Sequence, residues 1–179
     1  GIPAALLMMS SRSMLKSVIL AGSSVEDTFS VVNDRLAFRN YLNMFVTVWM
    51  GILDLRTGDM EFACAGHNPP VIRHADGSVE FAKSKPGLVI AAMEGTRYKR
   101  QVLTLKPGDT LFLYTDGVTE ATNANDELFG DERLLQTLRD AGDREPAEIC
   151  PFVKSKIDEF VGDAPQFDDI TMLALKFLG

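Results

Sequence analysis

The stretch TLFLYTDGVTEATNANDELFGDERLL, residues 110–135, decides how this chain folds. It opens with an apolar run, Leu111 to Tyr114, which is typical of a central strand that is buried on both faces. Asp116 and Gly117 follow at once, so we expect the strand to end in a carboxylate. Further acids come after them, beginning with Glu120, Asp126 and Glu127. It is unusual for a buried strand to end in a charged side chain, and this requires an explanation.

A second apolar run, Ile170 to Leu175, carries its acids at the opposite end, because Asp168 and Asp169 precede it. If the two strands are antiparallel neighbours, their acidic ends lie at the same edge of the sheet. Like charges held together there are costly unless they are protonated or neutralised by a cation, and carboxylate oxygens favour Mg²⁺ or Mn²⁺. The pattern therefore predicts a metal site where Asp116 meets the pair Asp168 and Asp169.

A structural explanation of the same residues stays open at this point. Asp-Gly after a strand is also a common turn, and an aspartate before a strand often only caps a loop. Spacing alone does not decide between a turn and a metal ligand.

Composition indicates one soluble globular domain, with 179 residues of which 46% are apolar and 24% charged. The net charge of −7 and the scattered lysines and arginines argue against nucleic acid as a partner, and they disfavour a metal-dependent nuclease. Cys64 and Cys150 are isolated, which is typical of reduced thiols in a cytoplasmic protein. No apolar stretch approaches the length of a membrane span, so we expect no membrane contact by this segment.

Periodicity predicts two amphipathic helices first. Leu7, Met14 and Val18 form the stripe of one helix, and Ser24 begins the next with a capping box. Consecutive antiparallel strands follow, with turns at residues 57–59 and at 76–77 and a strand over 97–105. Two more helices, over 131–141 and 147–161, precede the last strand.

Several residues have a plain structural interpretation. The run Leu6 to Met9 and Trp49 are expected in the core, and Glu120 is expected near the start of a helix. His67, in AGHNPP, is interpreted as a turn residue rather than a general acid.

Six segments together carry a resemblance to a known family. They are GIPAALLMM (1–9), MFVTVWMGILDLRTG (44–58), AGHNPP (65–70), KPGDTLFLYTDGVTEATN (106–123), LFGDERL (128–134) and FDDITMLALK (167–176). In these segments the chain resembles the PPM-type, or protein phosphatase type 2C-like, serine/threonine phosphatases, specifically the bacterial SpoIIE-like branch. The segments occur in the family's order over nearly the whole chain.

The resemblance implies an α+β fold, an α-β-β-α sandwich of two antiparallel sheets flanked by helices, with two Mn²⁺ or Mg²⁺ ions. Asp116 matches the metal-binding aspartate of the family's T-D-G motif, and Asp168 matches the ligand in D-D-I-T. Asp169 and Gly117 are expected to support the site without binding metal. The nucleophile implied is metal-bound water, so no catalytic side chain is expected, and the substrate-binding residues are left open.

The resemblance also implies a missing segment. Family members carry a G-D-x-x-G-x-G motif whose aspartate bridges both metals, and Gly1 matches its last glycine. We therefore expect residues 1–179 to be a single domain that is truncated at its N-terminus, lacks the N-terminal strands and forms the C-terminal part of a longer signalling protein. By itself, the segment is expected to be inactive or weakly active.

The function implied is a metal-dependent phosphatase that removes phosphate from serine or threonine of a partner protein. Within the family that partner is most often a STAS-type anti-sigma-factor antagonist. The alternative is a catalytically silent, phosphatase-like regulatory binding module. The oligomeric state is open, with a homodimer among the alternatives.

Overall fold

The computed structural model describes residues 2–166 and 168–179. Gly1 and Phe167, which belong to matched segments above, lie outside the described residues. In chain order the elements are α1 (Ile2–Leu20), α2 (Val25–Ala37), β1 (Val48–Leu53), β2 (Asp59–Ala65), β3 (Val71–Arg73), β4 (Val79–Phe81), β5 (Gln101–Thr104), β6 (Thr110–Tyr114), α3 (Asp116–Thr119), α4 (Gly130–Asp140), α5 (Pro146–Val161) and β7 (Met172–Lys176).

These elements form two compact units. The first unit contains the described part of Gly1–Asp54 together with Asp59–His67 and Ser84–Thr104. The second unit contains Leu55–Gly58, Asn68–Lys83 and the described part of Leu105–Gly179.

The first unit places α1 and α2 beside a three-stranded antiparallel sheet of order β1-β2-β5. α2 begins where its capping residue predicts, since the Ser24 hydroxyl accepts a hydrogen bond from Asp27 N at 3.2 Å. Phe29 and Val32, spaced three apart on one face of α2, are completely buried in a cluster that includes Ala63 of β2. Burying that apolar stripe fixes the helix on the sheet.

The strand predicted over 97–105 is shorter in the structure, where β5 covers only Gln101–Thr104. Arg97 instead forms an ion pair with Asp34 of α2, at 3.0 Å between Nη1 and Oδ2. Tyr98 packs edge-on against Phe29, with ring centroids 5.4 Å apart. Contacts with the helix therefore replace strand pairing over the first part of this segment.

The second unit contains a four-stranded antiparallel sheet of order β4-β3-β6-β7. The predicted hairpin turn at 76–77 joins β3 to β4. α4 and α5 start and end within one residue of the predicted ranges. Their apolar faces and the sheet share a core that consists of Val71, Val79, Phe112, Tyr114, Val118, Phe129, Leu134, Leu138, Ile149, Val153 and Ile157.

Two predictions about burial are wrong. Leu6, Met8 and Met9 are exposed, because α1 joins the apolar cluster of the first unit through its second half, around Val18. Leu173 is 53% exposed, because β7 is the edge strand of its sheet. Trp49 is half-buried and stacks on Phe62 at 5.4 Å between ring centroids.

The predicted α+β class, with helices and two antiparallel sheets, is confirmed. Among residues 2–166 and 168–179, no helix combines the length and the apolar character that crossing a membrane requires.

Candidate functional site

The two acidic strand ends meet at one edge of the second unit's sheet. β6 and β7 are antiparallel neighbours in a register that pairs Tyr114 with Met172, which confirms the pairing inferred from the sequence. Just beyond this pair, Thr115 N donates to Thr171 O at 3.0 Å, and Thr171 N donates to the Thr115 hydroxyl oxygen at 3.0 Å. The segment after β6 and the segment before β7 are therefore tied together.

Asp116 occupies a different local structure from the one expected. The strand ends at Tyr114, and Asp116 is the first residue of the short helix α3, with Thr115 as its N-cap. The Asp116 backbone carbonyl accepts a hydrogen bond from Glu120 N at 2.8 Å, and its Oδ1 accepts one from Gly117 N at 3.0 Å. The side chain is exposed, so the helix start presents a carboxylate at the sheet edge.

Gly117 brings the two acidic segments into direct contact. A Cβ built at this position would lie 2.4 Å from the backbone oxygen of Asp169 and 3.6 Å from the backbone carbon of Asp168. No real Cβ tolerates the shorter distance, so only glycine permits this approach without displacing the backbone. The backbone after Asp116 therefore packs on the backbone that carries Asp168.

Asp168 and Asp169 lie before the last strand rather than on it, since β7 begins at Met172. Asp168 Oδ1 accepts a hydrogen bond from Asp169 N at 2.7 Å, and the Asp169 backbone oxygen accepts one from the Thr115 hydroxyl at 3.2 Å. Both side chains are exposed. The backbone of Asp169 thus contributes to holding the site, while the role of its carboxylate stays a prediction.

The donor chemistry of these residues fits a divalent cation. Asp116 and Asp168 each accept one backbone hydrogen bond on Oδ1, which leaves oxygen lone pairs for a hard metal ion. Within the described ranges, no three side chains of histidine, cysteine, aspartate or glutamate form a group that could hold a metal. The assignment of Asp116 and Asp168 as ligands therefore stays a prediction.

Glu120 lies at the other end of α3 from the one expected. It is the C-cap of that four-residue helix, so the interpretation as a helix-start residue is wrong. Its exposed side chain borders a pocket of about 110 Å³ that the sequence did not predict. The pocket is lined by Gly117, Glu120, Ala121, Thr122, Ile157, Asp158, Val161, Gly162, Ala164, Pro165, Gln166, Asp168 and Ile170.

The pocket could not be recognised in the sequence, because its walls come from two segments that are far apart in the chain. These are α3 with the residues after it, and the end of α5 with the described residues between it and β7.

Burial holds three ionisable side chains, those of Tyr114, Cys64 and Cys150, in their neutral forms. Burial, assisted by the nearby charge of Asp131, raises the pKa of Tyr114 to about 12. Burial likewise raises the pKa of the Cys64 and Cys150 thiols, and both cysteines are free. These groups are therefore poor nucleophiles or bases at neutral pH.

Comparison with known proteins gives a consistent family. A family model described as stage II sporulation protein E (SpoIIE) matches residues 1–178. Protein IcfG of Synechocystis sp. is 34% identical over 146 residues, which cover 81% of this chain and 23% of that protein. Phosphoserine phosphatase RsbU of Bacillus subtilis is 26% identical over 125 residues, which cover 70% of this chain and 37% of RsbU. The chain thus spans well under half the length of these two relatives.

Solved structures give the same fold. The SiaA-PP2C domain of Pseudomonas aeruginosa matches 99% of this chain and 71% of that chain, with a TM-score of 0.84 and 25% identity. The RsbU and RsbW domains of Rv1364c from Mycobacterium tuberculosis match 98% of this chain and 48% of that chain, with a TM-score of 0.81 and 24% identity. These matches confirm the fold class that the sequence motifs implied.

Proposed function

Because the chain belongs to the stage II sporulation protein E (SpoIIE) family, whose fold is PP2C-like, we propose that it is a metal-dependent phosphatase domain. Its substrate is phosphoserine or phosphothreonine on a partner protein. The observation that carries the proposal is the contact of Gly117 with the backbone of Asp168 and Asp169, because it brings two acidic strand ends together. One relative, RsbU, is named a phosphoserine phosphatase.

In this proposal Asp116 and Asp168 hold Mn²⁺ or Mg²⁺ through their carboxylate oxygens. When bound, such ions lower the pKa of a water molecule and neutralise charge on a phosphoryl group. Gly117 allows the two ligand-bearing segments to approach, and the Thr115 hydroxyl holds the backbone of Asp169 in place. No side chain of this chain attacks phosphorus, which agrees with the raised pKa of both thiols.

The proposed protein substrate is a STAS-type anti-sigma-factor antagonist. This assignment rests on the resemblance to the SpoIIE-like branch and on the phosphoserine phosphatase name of RsbU. The alternative, a silent binding module, has no observation in its favour among the residues that the structure describes.

A thermal-shift titration tests the metal site. We expect Mn²⁺ to raise the melting temperature of the purified full-length protein, with its upstream G-D-x-x-G-x-G motif, because a ligand that binds only the folded state stabilises it by mass action. The increase should disappear in Asp116→Ala. The matched control is Asp76→Ala, which alters another Asp-Gly pair and should keep the increase. An equal shift in all three proteins would refute the assignment of Asp116 as a ligand.

A turnover assay separates the enzyme from the binding module. In the full-length protein we expect phosphate release from a phosphoserine protein or a small aryl phosphate only with Mn²⁺ or Mg²⁺, whereas residues 1–179 by themselves should release little or none. Cys64→Ala and Cys150→Ala should keep the rate. Turnover that needs a thiol and no metal would contradict the proposed chemistry.

A further inference from the structure

We infer that the pocket beside Asp168 binds a basic side chain, lysine or arginine, of the phosphoprotein substrate. The inference rests on the proposed phosphatase function and adds a determinant of substrate choice to it. The pocket is concave and of a size that suits one amino-acid side chain, at about 110 Å³.

The pocket combines an apolar floor with a carboxylate rim. Ile157 is buried at the floor, and the half-buried Val161 and Ile170 extend it. Exposed carboxylates at the rim come from Glu120 and Asp158. Lysine and arginine have a matching construction, because an aliphatic stem packs on apolar surface while the charged head stays at a polar edge.

The charges around the pocket exclude its use by the phosphoryl group itself. Apart from Asp168, which the proposed metal site uses, its described lining contains the two acids Glu120 and Asp158 and no lysine, arginine or histidine. An anion would be repelled there, whereas a cation is attracted. The pocket therefore complements a positively charged neighbour of the phosphorylated residue.

The spread of the three carboxylates favours an organic cation over a metal ion. In the part of the chain that the structure describes, no three acidic, histidine or cysteine side chains come close enough together to hold a metal. A guanidinium or ammonium group has several donors on a longer side chain and does not need converging ligands. Asp158 already pairs with Lys154, one turn earlier on α5, so a substrate cation shares this carboxylate with Lys154 or displaces it.

The position of the pocket ties it to the substrate rather than to an unrelated ligand. Gly117, which follows Asp116, and Asp168 both line it. When a phosphoprotein binds at Asp116 and Asp168, the residues next to its phosphorylated residue therefore lie beside the pocket. The basic side chain would belong to the same substrate chain as the phosphate.

The test uses phosphoserine peptides that carry a single lysine, alanine or glutamate at each position near the phosphoserine. Two measurements are made on the purified full-length protein with Mn²⁺: kcat/KM for each peptide, and affinity by fluorescence anisotropy. A small aryl phosphate serves as a substrate that has no basic side chain for the pocket to bind. We expect lysine at one position to raise kcat/KM and affinity about tenfold over glutamate.

The variant Asp158→Lys places a positive charge at the rim, and Glu159→Lys is its matched control. Both acids are exposed, both lie on α5 and both pair with a lysine of that helix, but only Asp158 lines the pocket. Asp158→Lys should abolish the lysine preference and keep aryl phosphate turnover, whereas Glu159→Lys should keep both. Ala164→Leu, which fills the pocket without changing charge, should also abolish the preference.

Each outcome decides one point. Absence of a lysine preference, or an equal loss in Asp158→Lys and Glu159→Lys, overturns the pocket assignment, while aryl phosphate turnover still supports the phosphatase. Failure of every substrate to turn over contradicts the phosphatase. In that case the anisotropy measurement still decides whether the pocket selects a basic side chain.

Discussion

Two Asp-Gly pairs that look alike in the sequence have different structural surroundings in the second unit. Gly77 has φ of +87°, and a Cβ added to it would meet no atom within 4 Å. Gly117 is not among the glycines with positive φ, yet its Cβ would lie 2.4 Å from Asp169 O. The first glycine is needed for its backbone conformation, whereas the second is needed for the space it leaves.

The aspartates of the two pairs, Asp76 and Asp116, differ in how many hydrogen bonds their carboxylates accept. Asp76 Oδ1 accepts hydrogen bonds from Ser78 N at 2.8 Å and from the Ser78 hydroxyl at 2.6 Å, so it completes the turn between β3 and β4. Asp116 makes one side-chain hydrogen bond within the described ranges, to the amide of its neighbour Gly117. A carboxylate that is consumed by a turn has a structural role, and one with free lone pairs at a sheet edge is available for chemistry.

The largest difference between the two Asp-Gly pairs is expected in phosphatase activity. Asp116→Asn should lower kcat/KM for a small aryl phosphate by about a thousandfold, because an amide is a poor ligand for Mn²⁺. Asp76→Asn should leave kcat/KM unchanged. Steady-state assays at several Mn²⁺ concentrations measure both. Similar activity in the two variants would remove the functional distinction between the pairs.

The next largest effect concerns the packing of Gly117. Gly117→Ala should lower the free energy of unfolding by about 2 to 3 kcal/mol, because the new methyl group must displace the backbone at Asp169. The variant should also weaken Mn²⁺ binding, since Asp168 moves with that backbone. Urea denaturation and Mn²⁺ titration measure these effects. A loss of unfolding free energy no larger than that of Gly77→Ala would show that the segment before β7 can move to make room for the methyl group at little cost.

A smaller effect is expected at the turn. Gly77→Ala should lower the free energy of unfolding by about 1 kcal/mol, because alanine is strained at positive φ. Gly77→Asn should recover much of that loss, since asparagine tolerates this conformation better than alanine. Phosphatase activity should be unchanged in both variants. Equal stability of the alanine and asparagine variants would contradict the conformational explanation.

The smallest effect comes from His74, which starts the same turn. Burial lowers its pKa, but hydrogen bonds to Asp109 and Glu80 outweigh burial, and the net pKa is raised above the ordinary value of 6.5. The imidazole lies 3.2 Å from the nearly buried Asp109 carboxylate, and the charges of Asp76 and Lys106 are also near. The stabilisation should therefore be complete below pH 6.5 and lost as pH rises through the raised pKa.

We expect this loss to be about 0.5 kcal/mol, since His74 is partly exposed. It is measured as the difference in unfolding free energy between the wild type and His74→Gln across that range of pH. Metal-dependent activity should not follow the same profile. A stability difference that grows as pH rises would mean that the sign is wrong.

The sequence predicted the adjacency of the site's two strands because their acids lie at opposite ends of two apolar runs. It did not predict that Asp116 begins a helix, since α3 has only four residues and no periodicity. It could not distinguish Gly117 from Gly77, because the contact that separates them involves Asp169, far away in the chain.

Burial was predicted well where an element has partners on its apolar face and poorly at the edges. The second amphipathic helix predicted is α2, and its Phe29 and Val32 are buried because the sheet covers that stripe. Leu173 has the same apolar character but belongs to a strand with a neighbour on one side only. Strand order within a sheet is a property of the whole chain, and local pattern does not reveal it.

The pairing of β6 with β7 also sets the order in which the site is assembled during synthesis. α4 and α5 lie between the two strands in the chain, so β6 emerges from the ribosome well before its neighbour. Until β7 arrives, β6 has β3 on one side and an open row of backbone donors and acceptors on the other. If synthesis pauses after α5, the nascent chain therefore contains Asp116 but not Asp168. The unpaired edge of β6 is then open to pairing with other chains and to binding by chaperones.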